Sequence, residues 1–176
     1  MALRFMVEEE LTNPQASVLL LSYTNRAVDE ISGMLCDAQI SFLRLGNTYA
    51  ADERFAPYFI DNALPESAKL NDFKEKIESA RVIVATVSTL QNKTCLFALK
   101  RFSLAIVDEA SQMIEASLVG LLAHHTATDS GQLAIKKFVL VGDHKQLPAV
   151  VRQKEHISAV NEPLLQNIEL LNCRES

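Results

Sequence analysis

Four short runs of apolar residues punctuate the chain: "SVLLLSY" (17–23), "RVIVATVS" (81–88), "SLAIVD" (103–108) and "KFVLVGD" (137–143). Each is nearly continuous in apolar residues, the pattern of strands covered on both faces rather than strands with one wet face. "ISFLRLG" (40–46) is a weaker fifth. Between the runs the period lengthens to that of a helix. Val28, Ile31 and Leu35 share one face after the first run, Leu70, Phe73 and Ile77 a second, and Ile114, Leu118, Leu121 and Leu122 a third. Leu3, Met6 and Leu11 give the opening residues the same character. Alternation of this kind predicts a doubly wound α/β fold: a mostly parallel sheet with helices on both faces.

One stretch breaks the rhythm. "NTYAADERFAPYFIDNALPE" (47–66) contains two prolines and the aromatics Tyr49, Phe55, Tyr58 and Phe59, and it has no clear period. It reads as an irregular insertion within a domain spanning 1–152, followed by a C-terminal segment, 153–176. The 176 residues suit one domain with a good core. The aromatics of the insertion are of a kind that stacks on nucleic-acid bases, but local packing is the favoured expectation.

Composition narrows the class only slightly. The chain is 48% hydrophobic and 22% charged, ordinary for a globular protein. No apolar run approaches the roughly 18 residues of a membrane span. The early "EEE" stands where a signal peptide needs its apolar core. Cys36, Cys95 and Cys173 are odd in number and far apart, with no CxxC. Reduced thiols and a cytoplasmic address (or a nuclear one in a eukaryote) are expected. The net charge of −5 counts mildly against nucleic-acid binding by bulk electrostatics and would require a local surface.

Ligands of such sheets bind at the carboxyl ends of the strands. Here those ends read "SYTNRAVDE", "ATVST", "VDEASQ" and "VGDHKQLP". The third is the most telling: the buried run "LAIV" stops in two adjacent acids, Asp108 and Glu109. An aspartate ending a buried strand can hold Mg²⁺, directly or through water, and the next carboxylate can orient or deprotonate an attacking water. The plain alternative is a solvated strand end. In "VGDHKQLP", Gly142 suits a tight turn, Gln146 offers an amide to a γ-phosphate or a water, and Pro148 stiffens the exit. Thr24 and Asn25 fall at a helix start, where a hydroxyl serves either as N-cap or as a contact for a phosphate. Thr86, Ser88 and Thr89 stand similarly. His124-His125 lacks the further ligands a metal site needs and reads as a polar helix end.

Taken in order, "TNRAVDEI" (24–31), "VIVATVSTL" (82–90), "VDEASQ" (107–112) and "VGDHKQLPAVV" (141–151) resemble motifs Ia, the threonine-serine motif, II and III of superfamily 1 helicases. The branch is the one holding the nonsense-mediated-decay RNA helicase and the Dna2-type DNA helicases. The resemblance covers roughly residues 1–151 and implies a RecA-like P-loop NTPase fold, the first motor domain of an ATP-dependent helicase. It also implies the site residues. Asp108 would bind Mg²⁺ with the ATP, and Glu109 would be the catalytic base. Gln146 would sense the γ-phosphate. Thr24, Asn25, Thr86 and Thr89 would contact the backbone of a single strand, DNA favoured over RNA. Ala149 departs from the family, which often has a second proline there.

The larger departure is the phosphate loop. GxxxxGK[ST] needs paired glycines and a lysine. Gly33, Gly46, Gly120, Gly131 and Gly142 do not fit that spacing, and the single Lys-Thr step, Lys93-Thr94, lacks the glycines. The expectation is a fragment whose phosphate loop and second RecA-like domain belong to other parts of the same protein, inactive alone. Two other functions compete with it: a non-catalytic RecA-like scaffold, and a Mg²⁺-dependent nuclease, which would ordinarily gather more carboxylates.

Overall fold

A computed structural model describes residues 2–65, 67–125 and 132–143. Five parallel strands, β1 (Val18–Ser22), β2 (Leu43–Arg44), β3 (Val82–Thr86), β4 (Leu104–Val107) and β5 (Phe138–Leu140), form one sheet in the order β2-β3-β1-β4-β5. All five runs named from the sequence become strands.

The near-continuous apolar runs have the cause expected of them. Alternate residues of β1, β3 and β4 enter different cores. Leu19, Leu21, Ile83, Ala85, Ala105 and Val107 face one, and Val18, Leu20, Val82, Val84, Leu104 and Ile106 face the other. Each buried aliphatic side chain contributes about 1.5–3 kcal/mol, so a polar residue at any of these positions would cost stability on whichever face it met.

The second core is closed by α1 (Ala2–Leu11) through Val7, by α2 (Asn25–Asp37) through Val28, Ile31 and Leu35, and by Phe55 and Phe59. The first is closed by α4 (Val87–Gln91), α5 (Leu96–Leu99) and α6 (Glu115–Leu122), which bury Leu90, Phe97, Leu118 and Leu121. Phe73 and Ile77 of α3 (Leu70–Ser79) pack at its margin. Here α3 departs from its sequence pattern: Leu70, the first residue of the helix, is 72% exposed and does not join Phe73 and Ile77 against the core. Val87 and Ser88 depart as well. They open α4 instead of extending β3, because the Thr86 side chain accepts a hydrogen bond from the Thr89 amide and starts a helix there.

The insertion is not a separate appendage. It forms two 3-10 turns, Thr48–Ala50 and Glu53–Tyr58, and inserts Phe55, Phe59 and Ile60 into the cores at 7% exposure or less. Local packing accounts for three of its four aromatics, since Tyr58 stacks on Phe42 with ring centroids 4.3 Å apart. The fourth, Tyr49, is 96% exposed.

Candidate functional site

The connection leaving β1 runs toward β2 and lays α2 on one face; the connection leaving β4 runs toward β5 and lays α6 on the other. Divergence of neighbouring connections opens a crevice at the carboxyl edge between β1 and β4, the usual ligand position in such sheets. Strand register fixes what stands there. Ser22 pairs with Thr86, Leu21 with Val107, and Val107 with Leu140. Arg44 pairs with Val84. Extending these registers gives one row across the edge: Gly46, Thr86, Ser22, Asp108, Val141. At about 4.8 Å per strand, Asp108 lies roughly 10 Å from Thr86.

Asp108 continues the ladder, its amide donating to the Leu21 carbonyl at 2.8 Å, while the next amide but one, Ala110, donates to the Val141 carbonyl at 2.9 Å. Glu109 is held between these two pinned amides in the left-handed region, φ 55° and ψ 34°. For a non-glycine residue that costs about 1–2 kcal/mol, and it persists because both neighbours are over-determined. The turn ends the strand alternation that would send successive side chains to opposite faces. The Ser22 hydroxyl bridges the pair with long contacts, donating 3.4 Å to the Asp108 carbonyl and 3.5 Å to Glu109 Oε2. Gln39 shares the left-handed conformation for an unrelated reason. It follows α2, its amide donating to Cys36 and that of Ile40 to Leu35, the usual way a helix stops.

The hydroxyl residues take two roles. Thr24 caps α2, accepting from the Ala27 amide at 3.1 Å, with Asn25 exposed beside it. Thr86 is 6% exposed; its hydroxyl donates to that of Thr89 at 2.8 Å, which leaves Thr89 as the more accessible of the two. Thr24, Asn25, Thr86 and Thr89 thus stand together at the ends of β1 and β3, one strand or two from the acid pair. Gln146, and Pro148 with it, lies outside the described residues. A cavity of about 190 Å³ opens at this edge, lined by Tyr23, Ser88, Gln91, Gln112, Met113 and Ser117 among others. Sequence reasoning passed over Tyr23 and Gln112; their signal was adjacency to Thr24 and Glu109. A roomier cavity of about 540 Å³ lies at the opposite edge, near Phe42, Arg81 and Val82. Size alone therefore does not locate the site; the strained acid and the divergence of the connections do. Among the described residues no three His, Cys, Asp or Glu side chains cluster to hold a metal, and His124 instead stacks on Phe97.

A parallel α/β sheet with an acid pair at its crevice defines an α/β domain with a ligand site at the carboxyl ends of its strands. Residues 62–154 match the profile described as "AAA domain", more than half of the 176 residues, and the chain belongs to that family. It is 35% identical over 159 residues to the Xenopus laevis "DNA replication ATP-dependent helicase/nuclease DNA2" and 36% identical over 157 residues to the Homo sapiens protein of that name, covering 87% of this chain each time. To the Arabidopsis thaliana "DNA replication ATP-dependent helicase/nuclease JHS1" it is 33% identical over 140 residues, 80% of the chain. The resemblance to Dna2-type helicases read from the four motifs is borne out. The chain spans 14%, 14% and 10% of the lengths of these relatives.

Proposed function

We propose that this chain is the acid-pair-bearing part of a RecA-like helicase motor domain that couples ATP hydrolysis to movement on single-stranded DNA. The observation that carries the reading is Glu109, held in a costly conformation between two pinned amides beside Asp108 at the crevice. Nothing in the packing of a scaffold calls for such a residue there.

In this reading Asp108 takes the Mg²⁺ that accompanies the nucleotide. The fit is sound: Mg²⁺ prefers oxygen donors and is held by one or two carboxylates plus substrate phosphates, and a single partly exposed strand-end carboxylate supplies that share. When bound, the ion neutralises charge developing on the transferred phosphoryl group. Glu109 orients a water and accepts its proton. Gln146 contacts the γ-phosphate. Thr24, Asn25 and Thr89 hold strand phosphates, while Thr86 fixes the helix start that presents Thr89. The phosphate loop and the arginine fingers come from elsewhere in the intact protein. DNA is preferred to RNA because the relatives are named for DNA replication.

The test is Glu109→Gln in the intact protein. The amide keeps the shape but cannot accept a proton, so ATP affinity should hold while turnover falls about 10²–10⁴-fold. Asp108→Ala should instead weaken the Mg²⁺-dependent part of nucleotide binding. Turnover of Glu109→Gln within a few-fold of normal would end the base assignment. A protein that neither binds nor hydrolyses ATP would favour the scaffold.

A further inference from the structure

Tyr49 is an exception within its own segment. Phe55, Tyr58 and Phe59 pack inward, whereas Tyr49 is 96% exposed. An aromatic ring left in water contributes nothing to the core and keeps both faces open to a partner.

Its backbone, by contrast, is fixed. The Asn47 side chain accepts from the Tyr49 amide at 3.0 Å and caps the turn Thr48–Ala50. Gly46, at φ +140°, brings the chain so near Thr89 that a Cβ there would lie 3.5 Å from the Thr89 hydroxyl. Downstream, the Asp52 amide donates to Asp29 Oδ2 at 3.2 Å. Asp29 also pairs with the buried Arg44, whose guanidinium carbon lies 4.9 Å from the Phe59 ring centre and 5.8 Å from that of Phe55. The segment is thereby fastened to α2, the helix that begins at Thr24-Asn25. It presents one ring on a stiff mount, which lowers the entropic cost of binding through it.

The register, with the approach of Gly46 to Thr89, places this turn at the outer end of the hydroxyl row. The row Gly46, Thr86, Ser22, Asp108 runs from the outermost strand to the acid pair. A single strand held at Thr24, Asn25 and Thr89 and continuing outward along this row would cross Gly46–Tyr49. We propose that Tyr49 is the outer stacking platform of this surface: one unpaired base lies on the phenol ring as the strand passes Thr89. This inference rests on the strand-binding reading above. It also fits the net charge of −5, since stacking needs no cation and tolerates any base.

The experiment measures binding of single-stranded oligodeoxythymidine to the intact protein by fluorescence anisotropy, at several salt concentrations, with a second strand in which the bases are replaced by abasic sugars. Tyr49→Ala should weaken thymidine-strand binding about 5- to 100-fold, as expected for loss of one stacked base. Tyr49→Phe should restore it to within about twofold, because the ring is retained. The slope of log K against log salt should not change, as no phosphate contact is lost. On the abasic strand, wild type and Tyr49→Ala should bind alike. Equal affinity of wild type and Tyr49→Ala for the thymidine strand overturns the inference, and so does an equal loss on both strands. Wild type that holds no strand at all overturns the motor reading first, and the inference with it.

Discussion

Arg44 is 1% exposed on β2 and pairs with Asp29, with Asp52 near enough to feel its charge; among the described residues Nη2 has no hydrogen-bond partner. Asp29→Ala would leave a buried guanidinium with no ion-pair partner among the described residues, against the rings of Phe55 and Phe59. Breaking one side of a buried ion pair costs about 3–5 kcal/mol. The Asp29 side chain keeps 19% exposure, so water reaches its end of the pair, and the lower bound of about 3 kcal/mol applies. Arg44→Met leaves an aspartate able to reach solvent and keeps an apolar stem between the rings. It should cost less, about 1–2 kcal/mol, mostly lost ring contact and packing. The double variant should then be more stable than Asp29→Ala alone, since no buried charge remains.

The assay is amide exchange in the intact protein, followed in α2 and residues 52–59. Three kcal/mol of local stability corresponds to exchange about 100-fold faster in Asp29→Ala, with most of that rate recovered in Asp29→Ala/Arg44→Met. Equal exchange in the single and double variants would refute the reasoning, because the cost would then not come from an uncompensated charge.

Three further outcomes are expected. Gln146→Ala in the intact protein should lower strand-stimulated ATP turnover far more than ATP affinity, since an amide acting near the transition state is felt mainly in turnover; unchanged stimulation by single-stranded DNA would make Gln146 an ordinary loop residue. Glu109→Gly should raise thermal stability, the release of about 1–2 kcal/mol of left-handed strain being offset by about 0.5–1 kcal/mol of glycine entropy, while hydrolysis is lost; a lowered melting temperature would show that Glu109 is not strained. The Glu10 carboxyl, hydrogen-bonded to Lys137 at 2.9 Å, is held below its usual range chiefly by that bond. Its contribution, about 1 kcal/mol for a pair whose lysine lies in solvent, is present above the unfolded value and is lost as pH falls through the folded one. Protection of the α1 amides, taken relative to the intrinsic exchange rate at each pH, should therefore fall on acidification from about pH 6 to about pH 3, less so in Glu10→Gln.

The strands could be read from sequence because a parallel strand buried on both faces leaves an unbroken apolar signature. The acid pair was equally legible, being an abrupt end to such a run. Other features left no periodic trace. A four-residue helix such as Leu96–Leu99 is too short to show a period. Val87 continued the β-branched run of β3, and with hydroxyls at Thr86, Ser88 and Thr89 alike the sequence did not single out Thr86 as the cap. The insertion looked irregular because its order comes from 3-10 turns and from aromatic rings entering cores built by distant residues. Its anchor, Arg44 with Asp29, joins residues fifteen apart on different elements; the one visible clue was an arginine inside the apolar run "SFLRLG". The left-handed backbone of Glu109 was not readable at all. It follows from hydrogen bonds that β1 and the end of β5 impose on the residues to either side.

Those same bonds set how the two halves of the edge can communicate in the proposed motor. Ser22 is where they meet. Its strand neighbours in the row are Thr86 on one side and Asp108 on the other. Its hydroxyl contacts the Asp108 carbonyl and the Glu109 carboxylate, and its own chain runs through Tyr23 directly into the Thr24 cap of α2. A strand held at Thr24 and Asn25 is thus two residues of backbone and one weak hydrogen bond from the Glu109 carboxylate. That bond is long and its donor is fully buried, so a small displacement at the start of α2 changes it by a large fraction, whereas the sheet around it, packed on both faces, does not yield. Glu109 is the residue best placed to respond. It already occupies a conformation about 1–2 kcal/mol above its alternatives, which is comparable in size to the coupling energies by which one bound ligand alters a second site.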